Sequence, residues 1–172
     1  MAYDQINPNG RDQIPRSARS TEPAWVTTVA LPPEAAPFDL QAAINAAGDG
    51  EPTVIELNSD IILNGYDIKI PQDKIIKLTS AGAEITHSID ANRLFRVLSV
   101  SSQAALYLEN IIITGGVGTD SGAGVSVFGG TLVMNNNAAI TGNQASGAGA
   151  GVLIRNGGTF CMNGGEITNN TA

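Results

Sequence analysis

Acidic side chains are the chain's most plentiful source of chemistry, with 16 Asp and Glu against 9 Lys and Arg. Cleaving a polysaccharide takes carboxylates in clusters, often with calcium, and a basic residue alongside. In this sequence Asp60, Asp67, Asp73, Glu84, Asp90 and Glu109 stand singly. In the two most similar stretches of the chain Glu166 matches Ala139, so no two acids fall in register there. Arg96 and Glu109 are placed to meet on an outer face, where an ordinary surface ion pair accounts for both. The expectation is therefore that the chain has no catalytic residues and is not an enzyme.

Other candidate residues lead to similarly plain readings. Gly115-Gly-Val-Gly-Thr-Asp120 fits the GGxGxD half of a calcium-binding nonapeptide, but it occurs once, and Gly122 stands where that repeat wants a large apolar residue. Calcium in such rolls is held between consecutive turns, so a single copy is expected to be a glycine-rich turn and no metal site. His87, the only histidine, lies in Thr86-His87-Ser88 without a second ligand or a nucleophile, and is expected to be a solvated turn residue. Cys161 is the only cysteine, which excludes an intramolecular disulfide and a cysteine-based zinc site. Thr131 and Thr159 make a ladder of two, too short for a regular ice-matching array. No cofactor-binding residue is expected.

Composition narrows the class further. The net charge is −7, and basic residues gather only at Arg11, Arg16 and Arg19, which speaks against nucleic acid as a partner. No apolar run reaches the roughly 18 residues of a membrane span. The opening Met-Ala-Tyr-Asp-Gln has neither the basic nor the apolar region of a signal peptide. Of 20 glycines, 15 follow Thr114, while 42% of the residues are hydrophobic. Such a balance suits a slender solenoid with Gly and Asn turns rather than a disordered chain.

The elements that must position these residues are written in a repeat. Residues 122–143 align with 149–170: Gly124 and Gly151, Ile140 and Ile167, and Asn143 and Asn170 are each 27 apart. Each unit holds three short apolar runs punctuated by Gly and Asn, which predicts three strands and three turns, one rung of a parallel β-helix. Earlier coils follow from Thr53–Leu57 with Ile61–Leu63; from Ile68 and Ile70 with Ile75–Leu78 and Ile85; and from Leu94–Val100, Ala105–Leu108 and Ile111–Ile113. Five rungs at about 4.8 Å each predict a stack roughly 25 Å tall. Period-two alternation points Val125, Val127, Leu132, Met134 and Ile140 inward, under Val152, Ile154, Phe160, Met162 and Ile167. Ser126, Leu153, Thr131, Thr159, Val133 and Cys161 then face out. Asn residues at 135–137, 143, 163, 169 and 170 are expected at turns, where they tolerate left-handed backbone and can bond from coil to coil.

Before the coils, residues 1–38 form a Pro-rich arm that carries six of the eight prolines. Within it Trp25–Leu31 has β propensity and is expected to pack on the domain, as a strand or as a cap over one end. Residues 39–47 read as a helix with Asp39 as N-cap, Leu40, Ile44 and Ala47 on one face, and Gly48 as the left-handed stop. Its expected job is to cover the open edge of the first coil.

Ile140-Thr-Gly-Asn143-Gln-Ala-Ser-Gly-Ala-Gly-Ala-Gly151-Val resembles the pairing of FxxN with GGA[ILV] in chlamydial polymorphic outer-membrane proteins. The string from Gly157 to Asn170 is similar to the tandem repeats of adhesin-like bacterial surface proteins. Ile stands for Phe at 140 and 167, and the glycine–alanine order is Gly-Ala-Gly. Both groups belong to the pectate-lyase-like superfamily. The resemblance covers residues 39–172, most strongly 122–172, and implies an all-β, right-handed parallel β-helix of about five coils with an N-terminal capping helix and an irregular arm. It also implies a non-enzymatic adhesin-like module, extracellular or at a cell surface, that binds glycan or protein on an outer face. The alternatives are a phage-like or filamentous assembly subunit that uses the arm and the open coil end to self-associate, and a polysaccharide lyase or hydrolase.

Overall fold

Short runs of Ile, Leu and Val alternating with polar residues leave one face of each strand apolar, and a chain built of such runs buries them by winding them around a common interior. The computed structural model describes residues 22–82, 84–118 and 122–172, with Phe38 described by its backbone only. A strand β1 (Thr27–Ala30) and a helix α1 (Pro37–Ala46) precede the coils. Coil one holds β2 (Pro52–Leu57) and β3 (Ile61–Ile62). Coil two holds β4 (Ile68–Ile70), β5 (Ile75–Ser80) and β6 (His87–Asp90). Coil three holds β7 (Leu98–Val100), β8 (Ala105–Leu108) and β9 (Ile111–Thr114), followed by the short β10 (Val117–Gly118). Coil four holds β11 (Val125–Phe128), β12 (Thr131–Met134) and β13 (Ala139–Thr141), followed by β14 (Gln144–Ala145). Coil five holds β15 (Val152–Arg155), β16 (Thr159–Met162) and β17 (Glu166–Thr168).

The strands stack into three main sheets, ordered β1-β2-β5-β8-β12-β16, β4-β7-β11-β15 and β3-β6-β9-β13-β17. A two-stranded β10-β14 sheet runs beside them. Every pairing among the described strands is parallel. The protein is thus an all-β parallel solenoid of about five turns with one short helix.

Register follows the expected faces. Leu132 pairs with Phe160, Val133 with Cys161 and Met134 with Met162. Val125 and Val127 lie under Val152 and Ile154, and Ile140 lies under Ile167. The ladders extend downward through Ile76, Leu106 and Leu132, and through Ile61, Ile89, Ile113 and Ile140. These residues are at most 1% exposed. Burying one such side chain stabilises the fold by about 1.5–3 kcal/mol, which makes the interior ladders the main source of stability.

Turns keep the coils in phase. Gly115, Gly142 and Asn169 all have positive φ (67, 68 and 54°), so one left-handed corner recurs at the same place in three coils. Beside it Asn143 is 1% exposed. Its Oδ1 accepts from the Gly116 N–H (2.8 Å), and its Nδ2 donates to the Ile113 carbonyl (3.2 Å). Asn170 repeats the arrangement one coil up: its Oδ1 accepts from the Asn143 N–H (3.1 Å), and its Nδ2 donates to the Ile140 carbonyl (2.8 Å). Asn163 Nδ2 likewise donates to Asn135 Oδ1 (3.1 Å). Coil-to-coil Asn bonding is thus present at two corners.

Several local expectations are corrected. The helix begins at Pro37, whose fixed φ and missing N–H suit a first turn. Asp39 is therefore inside the helix rather than its N-cap, and its Oδ2 accepts back from the Ala36 N–H (2.8 Å). Gly48 is not the left-handed stop: the helix ends as Ala47 turns extended (φ −56°, ψ 142°), and the first positive φ beyond it is at Gly50 (71°). Lys74 Nζ donates to the Ala47 carbonyl and pairs with Asp49 (2.8 Å), so the helix C-terminus gets its cation from coil two. Ile85 and Leu94 are outside the strands and are 58% and 59% exposed, because the chain is turning a corner at each. The arm residues before Glu22 lie outside the described residues.

At the N-terminal end of the stack the helix packs on the core and meets one strand edge. Leu40 and Ile44 of α1 are fully buried in the core. Gln41 acts as a substitute strand: its Oε1 accepts from the Lys69 N–H (2.8 Å) and its Nε2 donates to the Lys69 carbonyl (3.0 Å), on the terminal strand β4. β1 pairs along β2 and becomes the terminal strand of the long sheet.

Close stacking yields a sharp prediction. A Cβ at Gly124 would lie 2.4 Å from the Gly151 carbonyl oxygen one coil up, whereas one at Gly65 would meet no heavy atom within 4 Å. Gly124→Ala is expected to destabilise the protein by about 1–3 kcal/mol, read as a lower urea midpoint, while Gly65→Ala leaves the midpoint nearly unchanged. Equal midpoints for the two variants would refute this packing.

Candidate functional site

The single carboxylates of the sequence are mostly spent on local structure. Asp60 Oδ1 accepts from the Ser88 N–H (2.7 Å), and Asp90 Oδ1 accepts from the Asn92 N–H (2.7 Å). Asp73 occupies a left-handed turn at φ 65°. Among the described residues, no three His, Cys, Asp or Glu side chains come close enough together to hold a metal ion. Val117 and Gly118 of the glycine-rich motif form β10, while Thr119 and Asp120 lie outside the described residues.

His87 is not a turn residue. It lies in β6, paired with Ile111, its side chain 17% exposed and its Nδ1 3.5 Å from Asp60 Oδ1. The strand signal was missed because Thr-His-Ser has no apolar alternation, and the strand is imposed by stacking under β9. The proposed Arg96–Glu109 pair is also corrected. Arg96 Nε donates to the Gly122 carbonyl (2.6 Å), and Glu109 pairs instead with Lys77 (2.6 Å), its outer-face neighbour one coil down. Cys161 is a free thiol whose Sγ donates to Asn163 Oδ1 (3.3 Å).

The densest group of charges lies on the outer face of the long sheet. Lys77 Nζ is 2.6 Å from Glu109 Oε2, 2.9 Å from Glu22 Oε2, and 4.9 Å from the centre of the Trp25 ring. Trp25 meets Tyr107 edge-on at 5.1 Å. Burial works against charge on Lys77, but hydrogen bonds and charges from Glu109 and Glu22 outweigh it and raise its pKa. Burial likewise opposes ionisation of Glu22, but hydrogen bonds from Trp25, Lys77 and Asn135 and the Lys77 charge prevail, so its pKa is lowered.

A polar groove of about 580 Å³ lies at the corner between the long sheet and the β13 sheet, lined by Asn136, Asn137, Ala138, Ala139, Gly165 and Glu166. Sequence reading missed it, although the signal is there. The turn from Met134 to Ala139 has one residue more than the turns from Leu108 to Ile112 and from Met162 to Glu166. That extra residue pushes the corner out, with Asn137 at φ 58°. Its lining offers amide donors and acceptors and one carboxylate, a surface for hydrogen bonding.

Coil five differs from every coil below it. Phe160, Met162 and Ile167 are 36, 47 and 36% exposed, whereas Leu132, Met134 and Ile140 directly beneath them are fully buried. β15, β16 and β17 are each the last strand of their sheet among the described residues. An apolar interior and three unpaired strand edges thus meet on one surface. Compared with known protein families, with curated proteins and with solved structures, the chain matches none.

Proposed function

We propose that the protein is a non-enzymatic, adhesin-like β-solenoid module of a bacterial surface or secreted protein, of the pectate-lyase-like superfamily, which binds glycan or protein. The observation that carries this reading is the polar groove at the corner after β12, lined by Asn136, Asn137 and Glu166. Phe160, Met162 and Ile167 of coil five add half-exposed apolar surface. The repeat resemblance over 122–172 supports the module class. The Asn-lined groove with Glu166 supports hydrogen bonding to a hydroxyl-rich or peptide ligand.

A second reading, a structural assembly subunit, is favoured by the difference between the two ends. At the N-terminal end α1 covers the β4 edge, while two copies can meet tail to tail through the half-exposed Phe160, Met162 and Ile167 of coil five. In sedimentation the chain is expected to associate as concentration rises. A variant with Leu153→Lys and Ile167→Lys is expected to stay monomeric with an unchanged β signal. A wild-type chain that is monomeric at every concentration would refute tail-to-tail association.

Enzymatic cleavage is tested separately. Incubated with polygalacturonate or other uronic-acid polymers and calcium, the protein is expected to release no unsaturated product. Steady accumulation of unsaturated-uronide absorbance would overturn the binding-module reading.

A further inference from the structure

Outward-facing residues of a solenoid sheet are ordinarily solvated, yet one outward column of the long sheet is covered. Lys77, Tyr107, Val133 and Cys161 lie in register on that face. Tyr107 is 7% exposed and Val133 fully buried, although neither points into the interior. The segment just before β1 lies across this column. Trp25 stacks edge-on against Tyr107 and under the Lys77 ammonium, and Glu22 reaches Lys77 of coil two and Asn135 of coil four.

One carboxylate gathers the contacts. Glu22 Oε2 accepts from Trp25 Nε1 (2.8 Å) and pairs with Lys77 Nζ (2.9 Å), while Glu22 Oε1 accepts from Asn135 Nδ2. Three donors thus converge from the segment itself, from β5 and from the turn after β12. Bonds of this kind to an ionised carboxylate are roughly twice as strong as their neutral counterparts.

We infer that Glu22 is the catch of a pH-gated strap: as a carboxylate it holds residues 22–26 down over Tyr107 and Val133, and once protonated it releases them and uncovers that apolar column while the coils stay folded. The coils are held by interior ladders and parallel pairing, to which the strap adds only the Val26 N–H bond to the Pro52 carbonyl (2.9 Å) where it joins β1. β1 also keeps its own pairing along β2. Release leaves no buried charge stranded, because Lys77 keeps Glu109 at 2.6 Å.

Among the described residues, the titratable and charged groups facing Glu22 are Lys77 from β5, Tyr107 from β8 and Glu109 just past it. On the coil-four side the neighbour is the neutral Asn135, and the Cys161 thiol of β16 stands one rung beyond Val133 in the same column. Because Glu22 is held below its ordinary value of 4.5, its stabilisation is present above that value and is lost as pH falls through the lowered one. Lys77 is raised above its ordinary 10.5, so its contribution is complete below that value and is lost as pH rises through the raised one. The strap is therefore closed between those limits and opens on the acid side through Glu22.

Trp25 is the only tryptophan and reports on the strap directly. Acrylamide quenching of its fluorescence is measured with circular dichroism from neutral pH downward. Quenching is expected to rise severalfold below the ordinary carboxylate range while the β signal holds. Glu22→Gln is expected to be strongly quenched already at neutral pH, with a flat acid profile. Lys77→Met is expected to move the transition to higher pH, a shift that a merely structural role for Glu22 would not produce. A flat wild-type profile, release only together with loss of the β signal, or a Glu22→Gln profile identical to wild type would each overturn the inference.

Discussion

Each inward side chain of this solenoid rests on the inward side chain one coil below, and parallel hydrogen bonding allows no slip of one residue without turning a ladder outward. That constraint governs what can vary. Ladder positions from Ile61 to Ile140 and from Ile76 to Leu132 stay apolar and buried. Corners are free to change length, provided the next strand returns in register. The turn from Met134 to Ala139 uses this freedom, and the groove beside Glu166 results from it. Groove surface is thus gained at a corner without disturbing the core ladders.

The same constraint makes the two ends of the stack unequal. At the N-terminal end Gln41 of α1 bonds both backbone groups of Lys69 on β4, while β1 and β3 are the terminal strands of the other two main sheets. In coil five, residues equivalent to fully buried ones are half-exposed.

Off the axis, the outer faces follow different physics. Stacking brings Lys77, Tyr107 and Val133 into a column without requiring that anything cover them. The Glu22–Trp25 segment meets this face at Lys77, Tyr107 and Asn135 through charge, aromatic and hydrogen-bond contacts. The molecule therefore combines a rigid interior with an electrostatically held exterior.

The repeat made the coils legible from sequence. Alternation at Val125-Ser-Val127 and Leu132-Val-Met134, copied 27 and 28 residues later, determined strands, faces and register, since a period of two admits one inward set. Leu40 and Ile44 likewise marked the buried face of the capping helix. What escaped the sequence was whatever depends on residues brought together from different coils. His87 is a strand residue because β9 stacks above it, and Glu109 pairs with Lys77 because their strands are neighbours in one sheet. Val133 is outward by pattern yet buried, and two residues on, Asn135 meets Glu22, more than a hundred residues earlier in the chain. Local periodicity determines which side of the sheet a residue takes; only the tertiary structure decides what it meets there.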